Sequence, residues 1–409
     1  MAFISTAACR SCGGSSLFPI LDLGEQPLAN SYACPSSWTE GHHHPLGLLG
    51  CAECSLVQLI GTVEPEALFD YYPYFSSYST TMVKAMEELS ERVVRELSLS
   101  GDSFTVEIAS NDGYLLRSYQ ERGIPVLGIE PARNVAEAAL RDGVPTLVAY
   151  FGRETAHQVV RRHGRADVVH ANNVMAHVPD INGFTEGMAA LLKEDGTAFV
   201  ECPYLGDLVS GTAFDTVYHE HVLYYSLTSF DTLVRRHGLV VTDVERLSRH
   251  GGSLRYTLRH RGAPVAAAVK ELLAEEERSG MHGHAYYQGF AERVESVTRK
   301  LFDLLSGLRA EGARIAAYGA AAKGTVLLNH TGVNTRMIEK VYDRNPHKQG
   351  RVMPGVGIPI ADPEELVHDM PTHVLLLTWN LRDEIWEQQR AYRERGGRFI
   401  LPLPEPVVL

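Results

Sequence analysis

Short runs of aliphatic and β-branched residues alternate with amphipathic stretches through the middle of the chain. The run "FTVEI" (104–108) predicts a buried strand that enters a short polar loop ending at Gly113, after which the spacing turns helical. "VLGIE" and "ADVVHANNV" predict two further strands, "INGFTEGMAALLKEDG" a helix and "TAFVECPY" another strand. That alternation predicts a doubly wound α/β sheet. Further on, apolar residues recur at Phe290, Val294, Val297, Leu301, Leu304 and Leu308, steps of three and four that predict one long core-packing helix. It leads into "RIAAYGAAAKGTVLLN", read as a strand (314–318), a small-residue loop and a helix. "EKVYDRN" and "THVLLLTWN" predict two more strands, the second ending in Trp379 and Asn380. A second Rossmann-like unit is therefore expected behind the first.

At 409 residues the chain is too long for one ordinary core, so two or three domains are expected. Its 44% hydrophobic and 22% charged content are those of a soluble globular protein. The net charge of −12 counts against nucleic acid, whose phosphate backbone demands a basic face, but leaves room for a small anion at a local basic site. "MAFISTAACRSC" lacks the basic start and apolar core of a signal peptide, and no apolar run approaches the ~18 residues of a membrane span. A cytoplasmic enzyme with reduced thiols and no membrane partner is expected. Three domains can bury their own surfaces, which is compatible with a monomer.

Four of the six cysteines form two C-x-x-C pairs, Cys9 with Cys12 and Cys51 with Cys54. Two such knuckles complete a four-sulfur zinc site, and Gly13 and Gly14 permit the tight turn after the first. A redox dithiol would want a strand before the motif and a helix after it, and neither is evident. A closed four-sulfur site leaves no open position for substrate, so a structural zinc is expected. The run His42, His43, His44 reads as a polar loop.

The unit beginning at residue 104 carries cofactor chemistry. Glu107 stands near the end of the first strand, the loop runs Ala109-Ser-Asn111-Asp-Gly113, and Glu130 closes the second strand. Strand, small-residue loop, helix, strand and terminal acid form a ribose-recognition layout, the carboxylate accepting hydroxyl protons. The loop lacks G-x-G-x-x-G, and Glu107 would repel a pyrophosphate while suiting the cationic amino acid end of S-adenosylmethionine. Asn172 and Asn173, ending the third strand, join the expected cofactor set. No acid stands in "TLVAYFG", where adenine is often held.

In the second unit Tyr318 and Gly319 precede three alanines, Lys323 and Gly324, and Asp343 ends the next strand with Lys348 close behind. Small residues let backbone N–H groups approach a ligand, and a helix N-terminus favours an anion, so a nucleotide diphosphate is the expected occupant. The lysine precedes the second glycine, which excludes a Walker A loop. Between the units "AFDTVYHEH" packs Tyr218, His219, Glu220 and His221 into four consecutive positions, a proton-transfer cluster. An extended strand would part Tyr218 from His221, whereas a helical turn would bring them together.

The whole chain resembles the sugar C-methyltransferases of antibiotic deoxysugar pathways. The motifs run in order: paired C-x-x-C, "YPYFSSYS", "EIASNDGYLL", "GIEPARNVA", "ANNVMAHVPD", "PYLGDLV", "FDTVYHEHVLYYS", "HGGSLRY" and "YGAAAKG". The resemblance implies a zinc-binding module (1–66), a class I methyltransferase core (67–245) and a C-terminal Rossmann-like domain (246–409) gripping a nucleotide-linked 4-keto-deoxysugar, dTDP-type. It puts Tyr74, His177, Tyr218, Glu220 and His221 in the catalytic neighbourhood, with His221 as general base, and leaves His219 out. Tyr204 from "PYLGDLV" joins Tyr318, Gly319, Lys323, Asp343 and Lys348 as substrate contacts. The competing readings are a methyltransferase of nitrogen or oxygen, which needs no carbon-acid base, a zinc-ribbon RNA binder, and a dinucleotide-dependent sugar epimerase or reductase.

Overall fold

The computed structural model describes residues 3–39, 41–64, 68, 75–78, 80–247 and 251–409. The N-terminal module is built from β1 (Phe3–Ser5), β2 (Leu17–Pro27), β3 (His43–Cys51), β4 (Val57–Leu59) and β5 (Gly61–Val63). Strands β2, β3 and β4 form an antiparallel sheet, and β1 pairs with β5. The expected polar loop at His42–His44 departs from this: His43 and His44 open β3, and His44 is buried beside the rings of Phe3 and His219.

After α1 (Thr80–Glu96) the strand–helix alternation emerges as β6 (Thr105–Ile108), α2 (Tyr114–Gln120), β7 (Val126–Ile129), α3 (Arg133–Arg141), β8 (Thr146–Leu147), α4 (Arg153–His163), β9 (Ala166–Asn172), α5 (Ile181–Leu191) and β10 (Leu192–Pro203). The expected helix stops five residues early. Leu192 already pairs with Ala166, and the register shift before Thr197 absorbs "KEDG" into the strand. Beyond α6 (Leu205–Ser210) the strand β11 (Leu223–Tyr224) leaves this sheet and pairs with β4 of the N-terminal module.

Then α7 (Leu227–Arg236) returns the chain to β12 (Leu239–Leu247) and β13 (Ser253–His260), an antiparallel pair in which β13 lies against β10. The seven-stranded sheet therefore runs β12-β13-β10-β9-β6-β7-β8. A boundary at residue 245 cuts through β12. The sheet extends to His260, and α8 (Ala267–Ser279) packs back on it through Val269 and Leu272. The cause is a change of strand sense: the parallel alternation ends in a hairpin that the βα pattern does not announce.

The long helix is α9 (Phe290–Ala310); the expected stripe is buried at Phe290, Val294, Val297 and Leu301, whereas near the end Leu305 is buried and the expected Leu304 and Leu308 are half-buried. A second sheet follows, of β14 (Ile315–Tyr318), β15 (Val341–Tyr342), β16 (Ile360–Ala361), β17 (His373–Leu376), β18 (Arg398–Leu401) and β19 (Val407–Val408), in the order β16-β15-β14-β17-β18-β19. The helix α10 (Ala322–Thr331) follows β14. Each sheet has a point where chain order reverses, between β6 and β9 and between β14 and β17. Ligands of open α/β sheets bind at the carboxyl ends of the strands there.

Candidate active site

The four knuckle thiols converge, their Sγ atoms lying within 4.8 Å of one another. Cys9 and Cys54 are 3.4 Å apart, and Cys12 and Cys51 3.5 Å. Gly13 sits at φ 76°, and the Gly14 N–H points at Cys12 Sγ. Four soft donors in one closed cluster fit a tetrahedral zinc ion and leave no ligand position for substrate.

At the first reversal point, β6 brings Glu107 and β9 brings Asn172 to the same end of the sheet. Glu107 is fully buried, its Oε1 3.5 Å from Asn172 Nδ2 and its Oε2 without a partner; burial drives its carboxyl well above the usual range. A buried, unpartnered carboxylate oxygen fits a cationic amino group. The loop after β6 is held in left-handed backbone at Ala109 (φ 57°), Asn111 (φ 50°) and Gly113 (φ 77°), where two non-glycine residues pay local strain. Glu130 organises it, accepting from the N–H groups of Asn111 and Ala132 at 2.9 Å each. Its carboxyl is raised to about 6 by burial, against those two bonds. Each carboxylate oxygen retains a further lone pair for a ribose hydroxyl. Residues 75–78 cover the loop, Ser76 N–H donating to Asn111 Oδ1 and Ser77 N–H to Asp112 Oδ2. Tyr74 itself lies outside the described residues.

Asn173, in left-handed backbone at φ 53°, continues from this crevice to the cluster. Burial lowers His177 to about 4, offset in part by the nearby backbone of Glu220 and Asn173. His177 is therefore a neutral ring set between the cofactor strand and "YHEH". Its centroid lies 4.8 Å from that of His221. The cluster itself is a turn, with His221 N–H donating to the Tyr218 carbonyl at 2.9 Å. The three-apart geometry follows: Tyr218 Oη lies 2.7 Å from His221 Nε2. His221 Nδ1 lies 3.0 Å from the Thr216 carbonyl, which can only accept, so Nδ1 carries the hydrogen and Nε2 the basic lone pair. Glu220 is buried and accepts from Asn30 Nδ2 at 2.7 Å; burial raises its carboxyl to about 7, opposed by Asn30 and Lys348. His219 points the other way, its Nε2 3.3 Å from the His44 carbonyl, and serves the N-terminal sheet.

At the second reversal point, Gly319 (φ 91°) turns the chain after β14 where a Cβ would lie 2.4 Å from Thr378 Oγ1. Lys323 is half-buried, donates to Asn380 Oδ1 at 2.9 Å and lies 4.7 Å from the Trp379 ring centroid. The Trp379 indole donates to Asp215 Oδ2 at 2.7 Å, three residues before Tyr218. Lys348 donates to the Ala320 carbonyl at 2.6 Å. Two expected contacts are otherwise engaged. Asp343 is bonded by the N–H groups of Ala320 and Asn345, so it shapes the loop and takes up one of the N–H groups expected to face an anion. The expected anion contact then falls to the first turn of α10. Tyr204 turns into the core of the seven-stranded sheet, toward Glu276 and under Arg246. Tyr318 is buried, with Gln389 donating to its hydroxyl at 3.2 Å.

Comparison with known proteins accords with this layout. Three family models cover the chain in succession: a putative zinc binding domain over residues 9–69, a methyltransferase domain over 82–244 and a C-methyltransferase C-terminal domain over 248–404. The chain is 38% identical to C-methyltransferase NovU of Streptomyces niveus, over 98% of its own length and 96% of that protein's. It belongs to the C-methyltransferase family. The ubiquinone biosynthesis O-methyltransferase of Bradyrhizobium diazoefficiens is 32% identical over 111 residues only, 27% of this chain and 44% of that one. Among solved structures, PH0226 protein of Pyrococcus horikoshii covers 49% of the chain at 14% identity and a TM-score of 0.38, too loose a likeness to bear on function.

This C-methyltransferase is thus S-adenosylmethionine-dependent, with a four-cysteine zinc-binding module. Among the expected residues, the fold brings together Glu107, Asn172, His177, Tyr218, Glu220 and His221, and carries Lys323 and Lys348 toward them from the second sheet. Sequence reasoning missed Asn30, Asp215 and Tyr32, whose hydroxyl donates to the Ala320 carbonyl at 2.6 Å. Asp215 stands inside the quoted cluster motif and was recoverable as a buried acid beside it. Asn30 and Tyr32 sit in an ordinary polar loop, and nothing in their spacing marks them. No helix among the described residues is long and apolar enough to cross a membrane.

Proposed function

We propose that the protein transfers the methyl group of S-adenosylmethionine to carbon beside the ketone of a nucleotide-linked 4-keto-deoxysugar, dTDP-linked in the simplest case. The observation that carries this reading is the His221–Tyr218 pair, with Nδ1 fixed on a carbonyl and Nε2 left basic, standing beside the cofactor strand ends. Transfer to oxygen or nitrogen needs no base able to attack a C–H bond, whereas transfer to carbon does.

In this mechanism His221 Nε2 takes the α-proton, and the electron pair left on carbon delocalises onto the ketone oxygen as an enolate. The Tyr218 hydroxyl, released from Nε2, donates to that oxygen, and Tyr74 is the further donor that the family resemblance implies. S-adenosylmethionine, when bound, would supply the electrophilic methyl for the enolate carbon, its sulfur keeping the pair of the breaking bond, and the chain's part in that displacement is alignment. Glu107 and Glu130 would hold the two ends of the cofactor. The N-terminal turn of α10, with Lys323 and Lys348 nearby, supplies the positive end for a diphosphate. Neutral His177 keeps the cofactor strand and the cluster in register.

The test is incubation with a panel of nucleotide-linked 4-keto-deoxysugars and S-adenosylmethionine in heavy water, read by mass spectrometry and proton NMR. A new methyl on the carbon next to the ketone is the expected product. Absence of both methylation and deuterium exchange across the panel would sink the substrate class.

A further inference from the structure

The loop after β2 leaves the N-terminal module and crosses to the catalytic cluster. Thr325 Oγ1 donates to the Ala29 carbonyl at 2.9 Å, Val352 N–H to the Ala33 carbonyl at 3.0 Å, and Arg351 to the Tyr32 carbonyl at 3.3 Å. Tyr32 Oη and Lys348 Nζ both donate to the Ala320 carbonyl at 2.6 Å, and the ammonium lies 5.0 Å from the Tyr32 ring centroid. From this pinned loop Asn30 Nδ2 reaches Glu220 Oε1 at 2.7 Å, across 190 positions of sequence. A carboxylate only accepts, so the amide must present its NH₂ there.

We propose that Asn30 of the metal-binding module is a positioning residue of the methyl-transfer site, fixing the Glu220 carboxylate against the cluster. The module is then a working part of the active site. The inference rests on the reading of "YHEH" as catalytic.

The charged and titratable groups around Glu220 are few. Lys348 faces it from the second sheet with Asp343 behind, His219 and His221 flank it in sequence, and His177 meets its backbone. Lys348 spends a proton on the Ala320 carbonyl and forms no ion pair with Glu220 within 4.0 Å, so among the described residues Asn30 is the direct side-chain donor. A donor to the charged form favours that form, so removing it favours the acid.

The test follows the carboxyl of Glu220 by infrared difference spectroscopy from pH 5 to 9 in the full chain with metal bound. Glu220→Gln identifies the signal. Wild type is expected to titrate near pH 7, and Asn30→Leu about one to two pH units higher. Asn30→Asp, which keeps the shape, sets a second carboxyl against Glu220 and is expected to move the midpoint up as well. Metal content and thermal midpoint report whether each variant is folded. An unmoved Glu220 midpoint in either folded variant overturns the proposal. The readout needs no substrate, so it stands apart from failure of the sugar panel. With a working acceptor, the acid limb of the kcat profile should shift in parallel, while the KM for S-adenosylmethionine stays within about twofold.

Discussion

Glu107 carries the sharpest consequence at the scale of single residues. Its folded carboxyl is held well above the ordinary value by burial, with Asp112 and Glu130 nearby adding to the effect, which favours the protonated form. A cationic amino group beside the unpartnered Oε2 favours the carboxylate, and the proton must leave. Binding of S-adenosylmethionine at pH 7 is therefore expected to release up to about one proton, seen in calorimetry as an enthalpy that varies with the buffer's ionisation heat. Glu107→Gln should abolish that dependence; its persistence there would assign the proton to another group. His221→Ala is expected to lower methyl transfer by about 10²–10⁴-fold and to abolish deuterium exchange. Its cofactor affinity should be unchanged, because His221 bonds Tyr218 and Thr216 rather than the β6 loop. The identities of these residues were legible because acid, asparagine pair and "YHEH" each stand at a strand end or turn. The meeting of Tyr218 with His221 was not, since it depends on a turn that the residue string allows but does not impose.

At the scale of elements, local periodicity carried far. The central β6 and β7 strands, the long α9 and the β14–α10 unit all follow from runs and spacings, because burial on both faces of a parallel sheet demands them. What escaped was pairing. The β12–β13 hairpin and the departure of β11 to another sheet are choices among partners distant in sequence, and strand composition is the same for each. The turn after β14 shows how tightly such pairing constrains a single position. Gly319 has φ 91°, and a side chain there would also collide with Thr378 from the end of β17. Gly319→Ala is expected to destabilise the fold by roughly 1–3 kcal/mol and to weaken binding of dTDP. Differential scanning calorimetry and a dTDP titration check both. Intact dTDP affinity in a destabilised variant would move the diphosphate away from α10.

For the whole molecule, the metal-binding module is a wedge. One end, around Cys9, Cys51 and Cys54, packs into the core of the seven-stranded sheet, and Asn182 Nδ2 of α5 donates to the carbonyls of Arg10 and Ser11. The face formed by Ile20, Leu21, Leu48 and Leu59 packs with Phe290, Val294 and Leu327 of the second unit. Between these ends β4 pairs with β11, two residues after His221, and Leu59 N–H donates to the Val222 carbonyl at 3.0 Å. An ion that only closes a surface knuckle would leave chemistry untouched on removal. Here the knuckles anchor the strands that hold the cluster, while the cofactor crevice is made from β6, β7 and β9. Stripping the metal with a chelator, or Cys51→Ser, is therefore expected to lower the thermal midpoint and to reduce methyl transfer by more than about tenfold, with a smaller loss of S-adenosylmethionine affinity. The check is to measure both quantities on one stripped sample and again after zinc is restored. Equal losses would mean that the module supports the middle sheet as a whole. A larger loss of transfer, reversed by zinc, would mean that the strands leading from the cysteines are what keep His221 and Glu220 in place.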